Sequence, residues 1–192
     1  MEKRIVIFAS GSGTNTQNII EYFQHSNIAK VIRVLSNNKD AKVLERAKAL
    51  KTKASSFTKD ELNTEEGILK TLLKDQPDLI VLAGFLWKFP ALIIKEFPNK
   101  VINIHPALLP KYGGKGMYGK FVHEAVVANC EKETGITIHY VNEDYDEGAI
   151  IFQKKVALTE EDTPETVGQK VHQLEYEWFP KIIKRLLIED GG

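Results

Sequence analysis

The chain has 192 residues, with 26 Lys and Arg against 26 Asp and Glu, and 43% of its residues are hydrophobic. This length fits one domain or two small ones, and the composition is that of a folded globular protein. The zero net charge argues against nucleic-acid and membrane-surface partners, which need a basic surplus, and the lone Cys130 excludes an internal disulfide and a thiolate metal cluster, as suits a reducing cytoplasm.

The first half of the chain alternates apolar runs with helical patterns. The near-continuous, β-branched runs predict strands that are buried on both faces, as in a parallel sheet. None of these runs approaches the ~20 residues that cross a bilayer. Strands alternating with helices predict βαβ units and a mostly parallel sheet with helices on both faces. We expect strands at residues 4–9, 31–36, 54–57, 78–83 and 100–105, with helices at 14–25, 41–50, 60–74 and 90–96.

The second half has a different pattern. Residues 106–119 form a loop rich in Pro and Gly, and residues 121–129 fit a helix. Two strand-like runs, at 135–141 and 149–156, flank an acidic turn. Because only this short turn separates them, we expect antiparallel additions to the sheet rather than another crossover.

A long helical pattern follows the last strand. Thr163 and Pro164 are typical of a helix start, with a capping residue followed by proline at the first helical position. Pro180 predicts that this helix ends or kinks near the preceding residue. We find no repeat and no linker long enough to divide the chain, so we predict one domain with two halves, residues 1–100 and 101–192.

A glycine-rich turn, Gly11-Ser12-Gly13-Thr14-Asn15, joins the first predicted strand to the first helix. Glycine lets the backbone approach a ligand, and the helix start offers unpaired amides to a phosphate. Thr14 and Gln17 fit a capping box there. A dinucleotide fingerprint would have glycine where this chain has Thr16, and an acid after the second strand, so a monophosphate fits better. The alternative is an ordinary glycine turn.

The segment Asn103-Ile104-His105-Pro106 ends the fifth predicted strand. Residues two apart on a strand share a face, so Asn103 and His105 would both face the crevice at the carboxyl end of the sheet. Histidine carries a proton near neutral pH, and an asparagine amide can donate to an oxygen that becomes negative. These are two parts of an acyl-transfer site, although a histidine there can also be purely structural.

The acidic turn at residues 144–148 is the third candidate. A carboxylate close to His105 would favour the imidazolium and raise the pKa of that ring. Thr137 and His139 share a strand face and could line the same crevice. The alternative for the turn is a solvated loop without a function.

Taken together, the stretches GSGTN, NIHPALLPKYGG and DYDEGAII resemble the phosphoribosylglycinamide formyltransferase family, the folate-dependent enzymes of purine synthesis. The resemblance extends from Ile5 to about Pro180. It implies an open, mostly parallel Rossmann-like sheet, with residues 1–100 as the mononucleotide-binding half and residues 101–192 as the catalytic, folate-binding half. It also implies a cytoplasmic monomer or homodimer that transfers the formyl group of 10-formyltetrahydrofolate to the amine of glycinamide ribonucleotide, without a metal.

The resemblance assigns catalytic roles by motif position. Asn103 and protonated His105 would stabilise the oxyanion that forms when the amine attacks the formyl carbon. Asp146 would keep His105 cationic and order a water that relays a proton to the departing folate nitrogen. The Leu109–Pro110 bond would be cis.

Binding roles follow from the same resemblance. Gly13, Thr14 and Asn15 would hold the phosphate of the ribonucleotide. Glu175 would touch the ribonucleotide as well, unless it is a solvated helix residue. The residues implied to contact the folate are Leu86, Trp87, Lys88, Phe89, Asn103, Asn142, Glu143 and Asp144.

The chain also departs from the family pattern. Leu86 and Trp87 stand where methionine and arginine are common, and the loop at residues 113–121 is longer and lacks a His-x-His pattern. Lys59 and His123 are therefore left outside the predicted site. Methionyl-tRNA formyltransferase and formyltetrahydrofolate deformylase share the core motifs but carry an extra domain, which the length argues against. A non-catalytic, flavodoxin-like phosphate-binding module is the alternative from a different class.

Overall fold

Seven strands form one sheet in the order β3-β2-β1-β4-β5-β6-β7 in the computed structural model, which describes residues 2–189. The pairs from β3 to β5 are parallel, and β6 and β7 are added antiparallel, as predicted. The strands are β1 Lys3–Phe8, β2 Ala29–Ser36, β3 Lys53–Ser56, β4 Leu79–Leu82, β5 Val101–His105, β6 Glu133–Tyr140 and β7 Ile150–Ala157.

Helices cover both faces of this sheet. Alternate residues of β1 face opposite sides, so Ile5 and Ile7 belong to one core cluster while Val6 and Phe8 belong to the other. The first cluster packs under α1, α2, α6 and α7, and the second under α3, α4 and α5. The helices are α1 Thr14–Gln24, α2 Lys42–Ala49, α3 Lys59–Asn63, α4 Lys70–Asp75, α5 Ala91–Glu96, α6 Lys120–Ala128 and α7 Pro164–Glu189.

The chain reverses its direction of travel across the sheet at β1, which lies between β2 and β4. In open α/β sheets, ligands bind beside the carboxyl ends of the strands at such a switch point. The loops after β1, β4 and β5 all leave the sheet at this edge. The topology therefore places the glycine-rich turn next to the Asn103 and His105 strand end.

The predicted capping box at the start of α1 is wrong. Gly13, in the left-handed conformation (φ 73°), occupies the cap position, and no side chain caps the helix. Gln17 instead donates to Glu21 at 2.8 Å and accepts from Arg46. The first amides of α1 consequently have no side-chain partner, which is the condition that a phosphate site at a helix start requires.

Gly13 should tolerate no larger residue. Its φ angle is one that residues with a side chain rarely adopt, and a methyl group there would overlap the Val43 side chain. We expect Gly13→Ala to lower the free energy of unfolding by about 2–4 kcal/mol, from overpacking and backbone strain together. Urea denaturation measures the effect. Gly11→Ala is the matched control, since its methyl group would meet nothing within 4 Å, and equal stability of the two variants would contradict the prediction.

The single helix predicted for residues 60–74 is broken into three pieces. A capping box between Thr58 and Glu61 starts α3, a π-helical turn covers Glu65–Leu69, and α4 follows. The break lies at Gly67, whose backbone is non-helical (φ −90°, ψ −120°). Its Cα packs so closely on the Glu61 carbonyl that no Cβ would fit, and the hydrophobic periodicity of the segment does not reveal this local contact.

Helix α7 does not end near Phe179, contrary to that part of the prediction. It begins as expected, with the Thr163 hydroxyl accepting from the Thr166 amide at 3.3 Å. Pro180 lies within the helix and cannot donate to the Tyr176 carbonyl four residues earlier. Asn18 of α1 donates to that carbonyl instead, at 2.9 Å. The helix therefore continues past Pro180, because the Tyr176 carbonyl has a hydrogen-bond donor in Asn18 and the apolar face of the helix is buried.

No helix within residues 2–189 is both long enough and apolar enough to span a membrane.

Candidate active site

A cavity of about 710 Å³ opens at the carboxyl ends of β1, β4 and β5. This volume lies within the range of sites that take small molecules. Segments from both halves of the chain line it, including the glycine-rich turn, the residues after β4, the loop before α6, the acidic turn and one face of α7. The switch point of the sheet is thus an open site lined by both polar and apolar side chains.

Nearly all of the predicted site residues lie around this one cavity. Glu143 is the exception, since it does not line the cavity and is exposed, with its carboxylate 3.8 Å from Lys95. The predicted residues that do line the cavity are Gly13, Thr14, Asn15, Leu86, Trp87, Lys88, Phe89, Asn103, His105, Asn142, Asp144, Asp146 and Glu175.

The antiparallel pairing of β5 with β6 positions the polar residues in the centre of the cavity. Asn103 is opposite His139, and His105 is opposite Thr137. The Asn103 amide nitrogen lies 3.2 Å from Nε2 of His139 and 3.5 Å from the Asp146 carboxylate. Nδ1 of His139 lies 2.8 Å from the Tyr140 carbonyl, which can only accept. His139 therefore donates from Nδ1 and can accept the Asn103 amide at Nε2.

His105 is only 3% exposed and is held from both sides. Its Nε2 lies 2.7 Å from the Tyr112 carbonyl, an acceptor, so the Nε2 proton is committed there. Its Nδ1 lies 3.5 Å from the Asp146 carboxylate. The same carboxylate oxygen, Oδ2, accepts from the Gly114 amide at 3.0 Å. Nδ1 is therefore the nitrogen that can exchange a proton within the cavity.

The sequence predicts that the acidic turn raises the pKa of His105, and this is only partly what the structure shows. Burial lowers its pKa, and although the Asp146 charge and the Tyr112 carbonyl oppose this effect, the pKa stays below its ordinary value. The expected net rise is therefore wrong, because the ring loses more solvation than its partner returns. For Asp146, burial favours the neutral form, but the rings of His139 and His105 and the Gly114 amide outweigh it, and its pKa falls.

Thr137 has a structural role beneath the site. It is fully buried and does not line the cavity, contrary to the expectation that it shares the crevice with His139. Its hydroxyl donates to the Ala107 carbonyl at 2.6 Å and accepts from the Leu109 amide at 3.0 Å. These bonds hold the loop that follows His105, in which the Leu109–Pro110 bond is cis, as predicted.

The glycine-rich end of the cavity is tied to α7. Asn15 donates to the Glu175 carboxylate at 2.8 Å, and Nδ1 of His172 lies 3.0 Å from the same oxygen. Sequence reasoning missed His172. The signal was its spacing, since Gly168, His172 and Glu175 recur at steps of four and three and share one helix face. That face borders the cavity.

Aromatic side chains form the wall at the other end. Phe8 packs edge to face on Phe85 and Phe89, with ring centroids 5.6 and 5.1 Å apart. Trp87 packs on Phe57 in the same manner, at 6.2 Å. The Leu86 amide donates to the Ser10 hydroxyl at 2.9 Å, which joins the turn after β4 to the turn after β1. This wall suits a flat, partly apolar ligand.

His123, on α6, is a second residue that sequence reasoning left out. It lines the cavity, and its Nδ1 is buried without a hydrogen-bond partner among the described residues. Burial lowers the pKa of its ring, and Glu175 opposes this. Gly168 packs against it, at a distance where a Cβ would lie 3.2 Å from the ring. Residues 2–189 contain no group of three or more His, Cys, Asp or Glu arranged to hold a metal ion.

Comparisons with known proteins agree on one family. Residues 3–183 match the family model described as formyl transferase. The phosphoribosylglycinamide formyltransferase of Bacillus subtilis (strain 168) is 35% identical over 190 residues, covering 96% of this chain and 95% of the relative. The enzyme of that name from Haemophilus influenzae is 37% identical over 199 residues, covering 98% and 92%.

Solved structures give the same result. The crystal structure of phosphoribosylglycinamide formyltransferase from Bacillus halodurans superposes with a TM-score of 0.85 at 34% identity, covering 96% of this chain and 95% of the other. The structure of that enzyme from Coxiella burnetii has a TM-score of 0.88 at 35% identity, covering 98% and 89%.

Proposed function

The chain belongs to the formyl transferase family, and from this premise we propose that it transfers the formyl group of 10-formyltetrahydrofolate to the amine of glycinamide ribonucleotide. The observation that carries the proposal is the contact of Asn103, His105 and Asp146, joined through distances of 3.5 Å or less, inside a cavity that also contains a helix start free of side-chain caps. The relatives from Bacillus subtilis and Haemophilus influenzae are both named for this activity.

The ribonucleotide would bind at the glycine-rich end. Its phosphate would meet the free amides at the start of α1, beside Gly13, Thr14 and Asn15, where the helix dipole favours an anion. Glu175 lies next to this position because Asn15 and His172 both contact its carboxylate. Carboxylate and imidazole groups suit the hydroxyls of a ribose. The amine would then reach the centre of the cavity, towards Asn103 and His105.

The folate donor would bind at the aromatic end. Residues 86–89 and the exposed Asn142 and Asp144 line the cavity. Main-chain donors and acceptors match the edge of a pterin, and the aromatic wall matches its flat face. The departures at Leu86 and Trp87 leave such backbone contacts available. Glu143 lies outside the cavity lining and is left out of this proposal.

The reaction moves one bond and one proton. The amine nitrogen bonds to the formyl carbon, the bond from that carbon to the folate nitrogen breaks, and the proton lost by the amine replaces the formyl group on the folate. The formyl oxygen becomes negative in between, so a donor aimed at it speeds the reaction. Asn103 can supply one, since its second N–H is engaged only by the long 3.5 Å contact to Asp146.

His105 would handle the proton. In the free protein its lowered pKa favours the neutral ring, with the proton on Nε2 and a lone pair on Nδ1. Nδ1 can accept the proton that the attacking amine loses. The resulting imidazolium lies 3.5 Å from the ionised Asp146, which stabilises the positive charge. The imidazolium can then stabilise the oxyanion and return the proton to the leaving nitrogen.

A direct assay tests the proposal. We expect the protein, mixed with 10-formyltetrahydrofolate and glycinamide ribonucleotide, to change the folate absorbance only when both substrates are present. Turnover of the folate with water alone would identify a deformylase instead. Binding of both ligands without turnover would identify a binding module. Formylation of an aminoacylated tRNA, but not of the ribonucleotide, would identify a tRNA-acting relative. Each of the last three results contradicts the proposal.

A further inference from the structure

The loop between His105 and α6 holds the catalytic centre through its main chain. The Tyr112 carbonyl lies 2.7 Å from Nε2 of His105, and the Gly114 amide donates to Asp146 at 3.0 Å. These two bonds hold the histidine and its carboxylate partner from the same short segment. The position of this segment therefore decides where both groups point.

Tyr112 is in a conformation that needs support. Its backbone is left-handed (φ 57°), which non-glycine residues adopt only at a cost in free energy. Its phenol donates to the Glu131 carboxylate at 2.9 Å, and Lys111 donates to the same oxygen at 2.8 Å. Glu131 lies between α6 and β6, outside the cavity lining. It accepts hydrogen bonds from the side chains of two neighbouring loop residues, Lys111 and Tyr112.

We infer that Glu131 and Tyr112 are positioning residues, and that Glu131 holds the Tyr112 phenol so that the Tyr112 carbonyl stays on Nε2 of His105. Neither side chain touches the substrates. They act by keeping the histidine in one tautomer, with its lone pair on Nδ1 towards Asp146. This inference rests on the proposed role of His105 in formyl transfer.

The contact with the carbonyl also affects the titration of His105. A carbonyl that accepts from Nε2 favours the imidazolium, whereas burial opposes it. The other charged or titratable groups that act on this ring are Asp146, His139, Glu175 and His123. None of them contacts Glu131. Loosening the Tyr112 carbonyl should therefore lower the pKa of His105 while these neighbours stay in place.

Four variants and one control separate positioning from simple stability. We expect Tyr112→Phe and Glu131→Ala each to lower kcat about three- to tenfold at unchanged KM, the size expected for one hydrogen bond. The double variant should lose no more than either single one, because both remove the same bond. Glu131→Gln keeps an acceptor for the phenol and should restore near-native kcat. The matched control is Glu133→Ala, which removes an exposed carboxylate that pairs with Lys155.

The decisive measurement needs no substrate. The pKa of His105, followed by NMR of the full protein labelled at histidine, should fall by about half a unit in Tyr112→Phe and Glu131→Ala and stay native in Glu131→Gln and Glu133→Ala. A native pKa and native kcat in both disruptive variants would overturn the inference, even if their melting temperatures fall. A shifted pKa in a protein that proves unable to transfer formyl groups would overturn the proposed function and leave the positioning role supported.

Discussion

Replacing His105 by alanine should lower kcat at least about 100-fold, the usual loss when a general acid–base or an oxyanion donor is removed. The alanine has no group that can take the proton from the attacking amine, and Asp146 then faces no cation. The ribonucleotide should still bind with near-native affinity, because its proposed phosphate site lies at the start of α1. Steady-state kinetics and calorimetric titration of the ribonucleotide measure the two quantities separately.

His25→Ala is the matched control for this variant, since His25 is exposed at the end of α1. It should leave kcat unchanged. A His105→Ala protein that is folded and turns over within threefold of native would exclude His105 from the chemistry. Loss of ribonucleotide binding together with kcat would instead show that the substitution disturbs the whole cavity.

Replacing Asp146 by asparagine should also lower kcat by about two orders of magnitude, because the imidazolium of His105 loses its counter-charge in a buried site. The substitution is mild for the backbone. Asp146 is left-handed (φ 58°), a conformation that asparagine tolerates better than most residues. Asparagine also keeps an oxygen that can accept from the Gly114 amide. The loss should therefore report on charge rather than on folding.

The pH dependence of the Asp146→Asn variant gives a second test, in which the direction of the change is predicted. The Asp146 charge raises the pKa of His105, so its removal should lower that pKa further. The neutral ring, which accepts the proton of the attacking amine, should then persist to a lower pH, and the acidic limb of kcat/KM should move to lower pH. Asp60→Asn, an exposed change in the first turn of α3, is the control. An unmoved acidic limb would contradict the assigned pairing of His105 with Asp146.

The sheet and the central residues could be predicted from the sequence because both follow from short-range rules. Strands buried on both faces leave continuous apolar runs, and the alternation of such runs with helices sets the parallel order. Asn103 and His105 share a face because they are two apart on one strand. A strand end at the switch point of the sheet then places them in the crevice without further information.

Most of the remaining features depend on contacts between distant segments. The cap at Gly13 and the continuation of α7 through Pro180 involve partners far along the chain, Val43 and Asn18. The break at Gly67 is local, since it depends on the Glu61 carbonyl a few residues earlier. The pKa of His105 also depends on contacts that form only in the folded protein. The sequence predicts that a carboxylate lies near His105. How much solvation the two groups lose on folding depends on their burial, which only the structure gives.

Two bonds join α1 to α7, Asn15 to Glu175 and Asn18 to the Tyr176 carbonyl. Their partners are 160 and 158 positions apart in the chain. On the ribosome, the glycine-rich turn emerges first, and Glu175 is added only 160 residues after Asn15. Contacts at such separation form late, since a long loop must close first. A nascent or shortened chain that lacks α7 therefore contains the glycine-rich turn without its bond to Glu175, and the proposed ribonucleotide site is complete only after α7 has docked.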